Sequence, residues 1–326
     1  MGDQDSSHVT LIVLSTILIG IYLFVLFILH CFGKINDIIF PAPTPMYQEI
    51  NFQANLYYAS TYDYDVNMGK TKINIVHRNP NVYPGNPEKV RNIPYVYIKN
   101  RYWKTNLYII YFHGNAEDMC RYSAVEFMES LSKMISANMF VIEYPGYGIY
   151  RNIEPTSNLV EQDSLVLYDE IKNQFRLNDD QIYIFGRYSQ FLLRSIGTGP
   201  SFYLATQRNI KGLITMSAYK SIRYILNDFC YGCGCILSLL CCLPNIFPNL
   251  ERSQHIRCPI ALIHGEEDAL IQPHHSQDIF ENLPLHIQQQ SSIFVRPRMT
   301  HNYYDIEYDI AIPISQSFID LQPKGY

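Results

Sequence analysis

The chain carries little charge. Its 326 residues include 25 Lys+Arg and 30 Asp+Glu, 17% of the total, where about a quarter is usual for a soluble globular protein. There is no basic excess: the formal net charge is −5 and the isoelectric point lies near 6.0. That balance excludes a polycation that grips nucleic acid through its phosphates. The chain has one Trp, no internal repeat and no Asn-x-Ser/Thr acceptor site for glycosylation, despite many Asn residues. It also has no spread framework of cysteines. Five of the eight crowd the 13 residues from Cys230 to Cys242, which is not how a small extracellular domain spaces its disulfides. The last two absences favour a domain in the cytosol. What the chain does have is 48% hydrophobic residues and 27 Tyr, and that apolar content excludes a disordered chain.

One stretch lacks charge altogether. From Val9 to Phe32 there is no Asp, Glu, Lys or Arg. As a helix it would span roughly 36 Å, enough for a hydrocarbon core of about 30 Å. Removing it barely raises the charged fraction, so the low charge belongs to the rest of the chain. Asp3 and Asp5 precede the run where a signal peptide needs a positive segment. His30-Cys31-Phe32-Gly33-Lys34 offers no small-residue cleavage site. The expectation is an uncleaved transmembrane helix over 9–32, behind a tail over 1–8. Acids before it and Lys34 after it place the remaining chain on the cytosolic side. A proline-rich hinge follows over 33–50, containing Phe40-Pro41-Ala42-Pro43-Thr44-Pro45. Residues 51–326 are expected to form one domain, with a Cys-rich, lid-like insertion at about 225–250.

Within that domain the pattern alternates. Apolar runs at 107–112, 139–143, 181–185, 213–216, 260–263 and 293–295 read as buried strands. Between them, about 118–135 reads as a helix, and Leu167, Ile171 and Phe175 share one helical face. Strand–helix alternation predicts right-handed crossovers and an α/β fold, a mostly parallel sheet flanked by helices.

Chemistry in such a sheet sits beyond the carboxyl ends of the strands. Here those ends carry His113-Gly114-Asn115, Gly186-Arg187, His264-Gly265-Glu266-Glu267-Asp268 and, after the last strand, His301. Without Tyr188 to Arg194, the chain would read Gly186-Arg187-Ser195-Ile196-Gly197, a strand–turn–helix nucleophile elbow. The order Ser195, Asp268, His301 is that of the α/β-hydrolase triad. In this assignment His301 takes the Ser195 proton, and Asp268 fixes the imidazole tautomer. The backbone N–H groups of Asn115 and Ile196 would bind the oxyanion. Glu267 is the fallback acid. His113 and His264, each before a Gly at a strand end, are expected to be structural hydrogen-bonders.

His113-Gly114-Asn115-Ala116-Glu117-Asp118, Tyr144-Pro145-Gly146-Tyr147-Gly148, Ser195-Ile196-Gly197-Thr198 and His264 to Asp268 together resemble the α/β-hydrolase domain-containing protein 17 family, from about residue 40 to the C-terminus. The resemblance implies an α/β-hydrolase fold and a membrane-associated serine hydrolase that removes palmitate from cysteine thioesters of cytosolic proteins. S-acylated proteins or acyl lipids would be its substrates, and no cofactor is implied. A sister group, the domain-containing 13 or Bem46-like proteins, is similar too and carries a single N-terminal transmembrane helix. Two departures stand out. Residues 188–194 interrupt the elbow, which places Leu193 where the motif wants Gly. Arg298-Met299-Thr300 precede His301 where the family prefers small residues. The seven extra residues equal 21 nucleotides, the signature expected of a short in-frame intron kept in the reading frame.

Two clusters remain. Cys230 and Cys233 have zinc-ligand spacing, but the next pair, Cys241-Cys242, is adjacent and chelates poorly. An apolar lid over an acyl groove, or S-acylation of these cysteines, fits the segment better, and no metal site is expected. His274 and His275 are adjacent, lack the i, i+4 spacing of a helical zinc site, and are expected to be solvated.

Overall fold

The computed structural model describes residues 40, 56–60, 92–114, 119, 124–151, 153–187, 196–229 and 245–323. The expected transmembrane segment 9–32, nearly all of the hinge, Asn115, Ser195, the insertion 188–194 and the cysteines from 230 to 242 lie outside them. Among the described residues no helix is long and apolar enough to cross a membrane.

The strands are β1 Leu56–Ser60, β2 Asn92–Ile98, β3 Tyr108–Phe112, β4 Asn138–Ile142, β5 Ile182–Arg187, β6 Gly212–Met216, β7 Ile260–Gly265 and β8 Ser292–Arg296. They form one eight-stranded sheet in the order β1-β2-β4-β3-β5-β6-β7-β8. The six strands from β4 to β8 are parallel; β1 and β2 run antiparallel at one edge. The inner parallel strands are apolar on both faces because helices cover both, while the edge strand β8 is half-exposed. All five residues of β4 and all six of β5 and β7 are buried.

The helices are α1 Ala124–Met134, α2 Ser157–Gln174, α3 Thr198–Gln207, α4 Ile222–Phe229, α5 Asn249–Ser253, α6 His274–Glu281 and α7 Leu285–Gln288. A π-turn at Ile306–Ala311 runs into α8, Ile312–Ser317. In α1 the residues Ala124, Phe127, Met128 and Leu131 are buried, a stripe at helical spacing. They pack with Ile109, Tyr111 and Phe185 of the sheet and Ile310 and Ile314 of the last helical segment. The start of α2 is fixed by Thr156, whose hydroxyl accepts the Leu159 N–H at 3.1 Å.

The register aligns the strand ends. Phe112 pairs with Gly186, Arg187 with Met216, and Met216 with Ile263. The next residues, His113, Ser217 and His264, therefore fall along one edge of the sheet. Of the stretch expected as a lid at 225–250, its first residues belong to α4 and its last to α5.

Candidate active site

Asp268 sits in the turn after β7, and His301 in the loop after β8. The two loops are tied by main chain: Glu266 N–H donates to Arg296 O at 2.9 Å and Glu267 N–H to Met299 O at 3.1 Å. Gly265 permits that approach. A Cβ on it would lie 2.2 Å from Met299 O, so no other residue fits without moving the loop. Asp268 and His301 are each 3% exposed, and His301 Nδ1 lies 2.7 Å from Asp268 Oδ2. A nitrogen facing a carboxylate carries the hydrogen, so this contact places the ring hydrogen on Nδ1. Glu267, by contrast, is exposed.

The Asp268 carboxylate is fully engaged. Oδ1 accepts the Leu270 and Ile271 N–H groups at 3.0 and 2.9 Å. Oδ2 accepts from His301 and from the Ser217 hydroxyl at 3.0 Å. Burial pushes this carboxyl up, but the hydrogen bond and charge of His301, the nearby His264 and the Ile271 N–H outweigh it and hold Asp268 below the usual carboxylate range. His264 Nε2 donates to Ile271 O at 2.8 Å, while its Nδ1 accepts the Ser276 hydroxyl at 2.7 Å. Burial depresses its pKa to about 4 against the opposing pull of Asp268, so it is a neutral brace at neutral pH.

The described residues on either side of the 188–195 segment touch. A Cβ on Gly197 would lie 2.4 Å from Arg187 O and 2.3 Å from Phe112 O; one on Gly186 would lie 2.6 Å from Gly197 O. The two glycines of the interrupted motif thus pack against each other at the end of β5. Ile196 is fully buried, and its carbonyl accepts the Gly199 N–H at the start of α3. The structure brings Asp268 and His301 together and brings Gly186 to Gly197. Ser195 and Asn115 lie outside the described residues.

At the end of β3, His113 is fully buried. Its Nδ1 faces Gly114 O at 2.8 Å and its Nε2 faces Glu143 Oε1 at 3.3 Å. Both nitrogens thus lie within hydrogen-bond distance of an oxygen. Glu143 also accepts the Met119 N–H at 3.1 Å and the Tyr144 N–H at 3.2 Å. It therefore pins residues on both sides of the segment that contains Asn115. Arg187 is buried between the rings of Phe127 and Tyr304, 5.3 and 4.9 Å from their centres.

Sequence reasoning missed Ser217, Glu143 and the stacking of Arg187. Each follows or ends a strand, so strand-end position was the available signal; Arg187 fills the variable position of the elbow motif, and Ser217 and Glu143 sit in none of the quoted motifs. One expectation is corrected. His275 is not solvated: it is 1% exposed, because the first turn of α6 packs on the chain after β6. There Lys220 N–H donates to His275 Nδ1 at 3.2 Å, and Nε2 faces Asp228 Oδ2 at 2.7 Å. Asp228, His274 and His275 are the one group of described residues spaced to share a metal ion. The Lys220 bond, however, puts the ring hydrogen on Nε2, which makes a hydrogen bond to Asp228 rather than an open ligand.

No family model matches the chain. It is similar to an alpha/beta hydrolase of Acanthamoeba polyphaga mimivirus, 30% identical over 177 residues, which cover 54% of this chain and 60% of the relative. The alpha/beta hydrolase domain-containing protein aho-3 of Caenorhabditis elegans is 26% identical over 218 residues, 67% of this chain and 58% of its own length. The human alpha/beta hydrolase domain-containing protein 17B is 27% identical over 178 residues, 53% and 54% of the two chains. The chain thus spans between half and two thirds of the length of these relatives. Among solved structures, a puromycin-hydrolyzing peptidase of Mycobacterium tuberculosis superposes with a TM-score of 0.53 at 12% identity, over 72% of this chain and 38% of that one. A lidless α/β serine hydrolase from Xanthomonas campestris gives 0.50 at 12%, over 74% and 94%.

Sheet order, strand-end chemistry and these likenesses define an α/β-hydrolase fold and support a hydrolase. Among the curated homologues are alpha/beta hydrolase domain-containing proteins 17B and 17C and aho-3, so the family that the strand-end motifs resemble is supported.

Proposed function

We propose that the chain is a membrane-anchored serine hydrolase that cleaves acyl thioesters or esters and removes fatty acyl groups from S-acylated proteins. The observation that carries this reading is the buried Asp268–His301 pair, hydrogen-bonded at 2.7 Å through Nδ1. That bond leaves Nε2 to take the Ser195 proton as its oxygen attacks the acyl carbonyl. The backbone N–H groups of Ile196 and Asn115 stabilise the tetrahedral oxyanion. Collapse expels the thiolate or alkoxide, which His301 protonates. Water, deprotonated by His301, then releases the acid and restores Ser195. A thiol, with a pKa of about 8.5, leaves more readily than an alcohol, so the chemistry accommodates thioesters. The palmitoyl-protein substrate comes from family resemblance, and the anchor over 9–32 would hold the site, on the cytosolic side, near lipidated proteins. The same anchor suits a glycerolipid esterase, the runner-up.

Labelling with a fluorophosphonate tests the chemistry. The expected result is covalent labelling that disappears in Ser195→Ala. Comparing turnover of an S-palmitoylated peptide with that of an acylglycerol then separates thioesterase from lipid esterase. One observation favours a second reading, a hydrolase fold without activity that acts as a membrane interaction protein: the seven residues inside the elbow. The contact of Gly186 with Gly197 supports the active form once those residues are absent. Sequencing the transcript across codons 188–194 tests this, and a message retaining all seven codons would sink the intron explanation.

A further inference from the structure

We propose that Ser217 is a positioning residue of this site, holding the Asp268 carboxylate in the orientation that meets His301. The proposal rests on the Ser195–Asp268–His301 reading given above. Ser217 directly follows β6, is fully buried, and has φ of 55°. That left-handed backbone is costly for serine and cheap for glycine. Its conformation is held by the sheet, since Ser217 N–H donates to Ile263 O at 2.8 Å. The strained backbone aims the hydroxyl at Asp268 Oδ2, 3.0 Å away, the same oxygen that His301 Nδ1 meets at 2.7 Å.

The other oxygen of Asp268 is held by the Leu270 and Ile271 N–H groups. Ser217 therefore supplies the remaining fixed donor on the His301 side. Among the described residues, the titratable groups facing this carboxylate are His301 and His264. His264 lies 3.6 Å from Oδ2 with its Nε2 hydrogen directed to Ile271 O, so it is not a substitute for the serine. A serine where glycine would be easier, with its hydroxyl on the acid beside His301, is accounted for by what the hydroxyl does to that acid.

Ser217→Gly is the discriminating variant, because glycine tolerates the backbone and lacks only the hydroxyl. Measured with a p-nitrophenyl acyl ester, kcat is expected to fall roughly tenfold to a hundredfold with KM little changed. The acidic limb of kcat/KM is expected to move up by about half a pH unit. The reason is that Oδ2, relieved of one donor, concentrates its charge on the imidazolium form of His301. Ser217→Ala keeps the strained backbone and should show the same limb shift with a lower Tm than Ser217→Gly. Wild-type kcat and an unmoved limb in Ser217→Gly would overturn the proposal. So would failure of both variants to fold, which would make Ser217 a structural residue. If the wild-type protein itself takes no fluorophosphonate at Ser195, it is the serine-hydrolase reading that fails.

Discussion

At the scale of single residues, the site depends on which atom of His301 carries a hydrogen. Asp268 sets this through one oxygen. Asp268→Asn would put an amide where the carboxylate stood and allow the wrong tautomer. We expect the rate of fluorophosphonate labelling to fall on the order of 10³–10⁴-fold, with the fold intact by circular dichroism. Glu267→Gln is the matched control: Glu267 is exposed, so labelling should change less than twofold. Comparable losses in both variants would remove Asp268 from the proposed triad. This distinction was only partly legible in the sequence. His264-Gly265-Glu266-Glu267-Asp268 marks a strand end with three acids in a row, and pattern alone ranks them weakly. Burial and the hydrogen bond to His301 set Asp268 apart from the exposed Glu266 and Glu267. Ser217 was not legible, because its signal is a backbone angle and not a residue pattern. His275 was misread for a related reason: two adjacent histidines look polar, yet the first turn of α6 buries one of them under the chain after β6.

At the scale of elements, the six parallel strands were legible as continuous apolar runs, which the inner five owe to burial on both faces and the half-exposed edge strand β8 shows only over Ile293 to Val295. The antiparallel pair β1 and β2 was not. Pro94 interrupts β2, and an internal proline argues against a strand. The structure accommodates it because the ladder with β4 covers Tyr95 to Ile98 and leaves Pro94 outside, opposite Tyr58 of β1. The elements also explain how two loops from different strands meet. β7 ends in Gly265, against which the loop after β8 rests its Met299 carbonyl at a distance no Cβ permits. Gly265→Ala must therefore move the loop that carries His301. We expect a destabilisation of about 1–3 kcal/mol from overpacking, read as a lower urea midpoint. Fluorophosphonate labelling should slow by more than that loss of folded protein explains. Unchanged labelling in the folded fraction would mean that the loop shifts without carrying His301 away. The elbow follows the same logic. Gly186 and Gly197 were legible as a motif only by looking across seven residues, and their packing against each other supplies the physical reason to do so.

At the scale of the molecule, the scarcity of charge returns as a statement about pH. Asp, Glu, Lys and Arg, 17% of the chain, ordinarily titrate far from neutrality, so the ten histidines are the side chains whose ordinary pKa lies near it. His264 is fully buried with its pKa depressed from 6.5 to about 4 by burial. Burial likewise lowers His275, outweighing the Asp228 carboxylate beside it. A histidine whose folded pKa is lowered binds more protons in the unfolded chain. Its contribution is therefore present above pH 6.5 and is lost as pH falls towards 4. For His264 the full span corresponds to roughly 3 kcal/mol. Asp268 acts lower still: its depressed carboxyl adds stability above its unfolded value of 3.8, lost as pH drops through the folded value. The stability of the protein should thus fall steadily from pH 7 to pH 4, with most of the upper slope due to the two histidines. Urea unfolding at half-unit intervals measures that slope. His264→Gln keeps a donor for Ile271 O and removes the titration, so it should be less stable at pH 7 and lose less between pH 6.5 and 4. A variant slope equal to the wild-type slope would show that the buried imidazole of His264 is not what acid attacks.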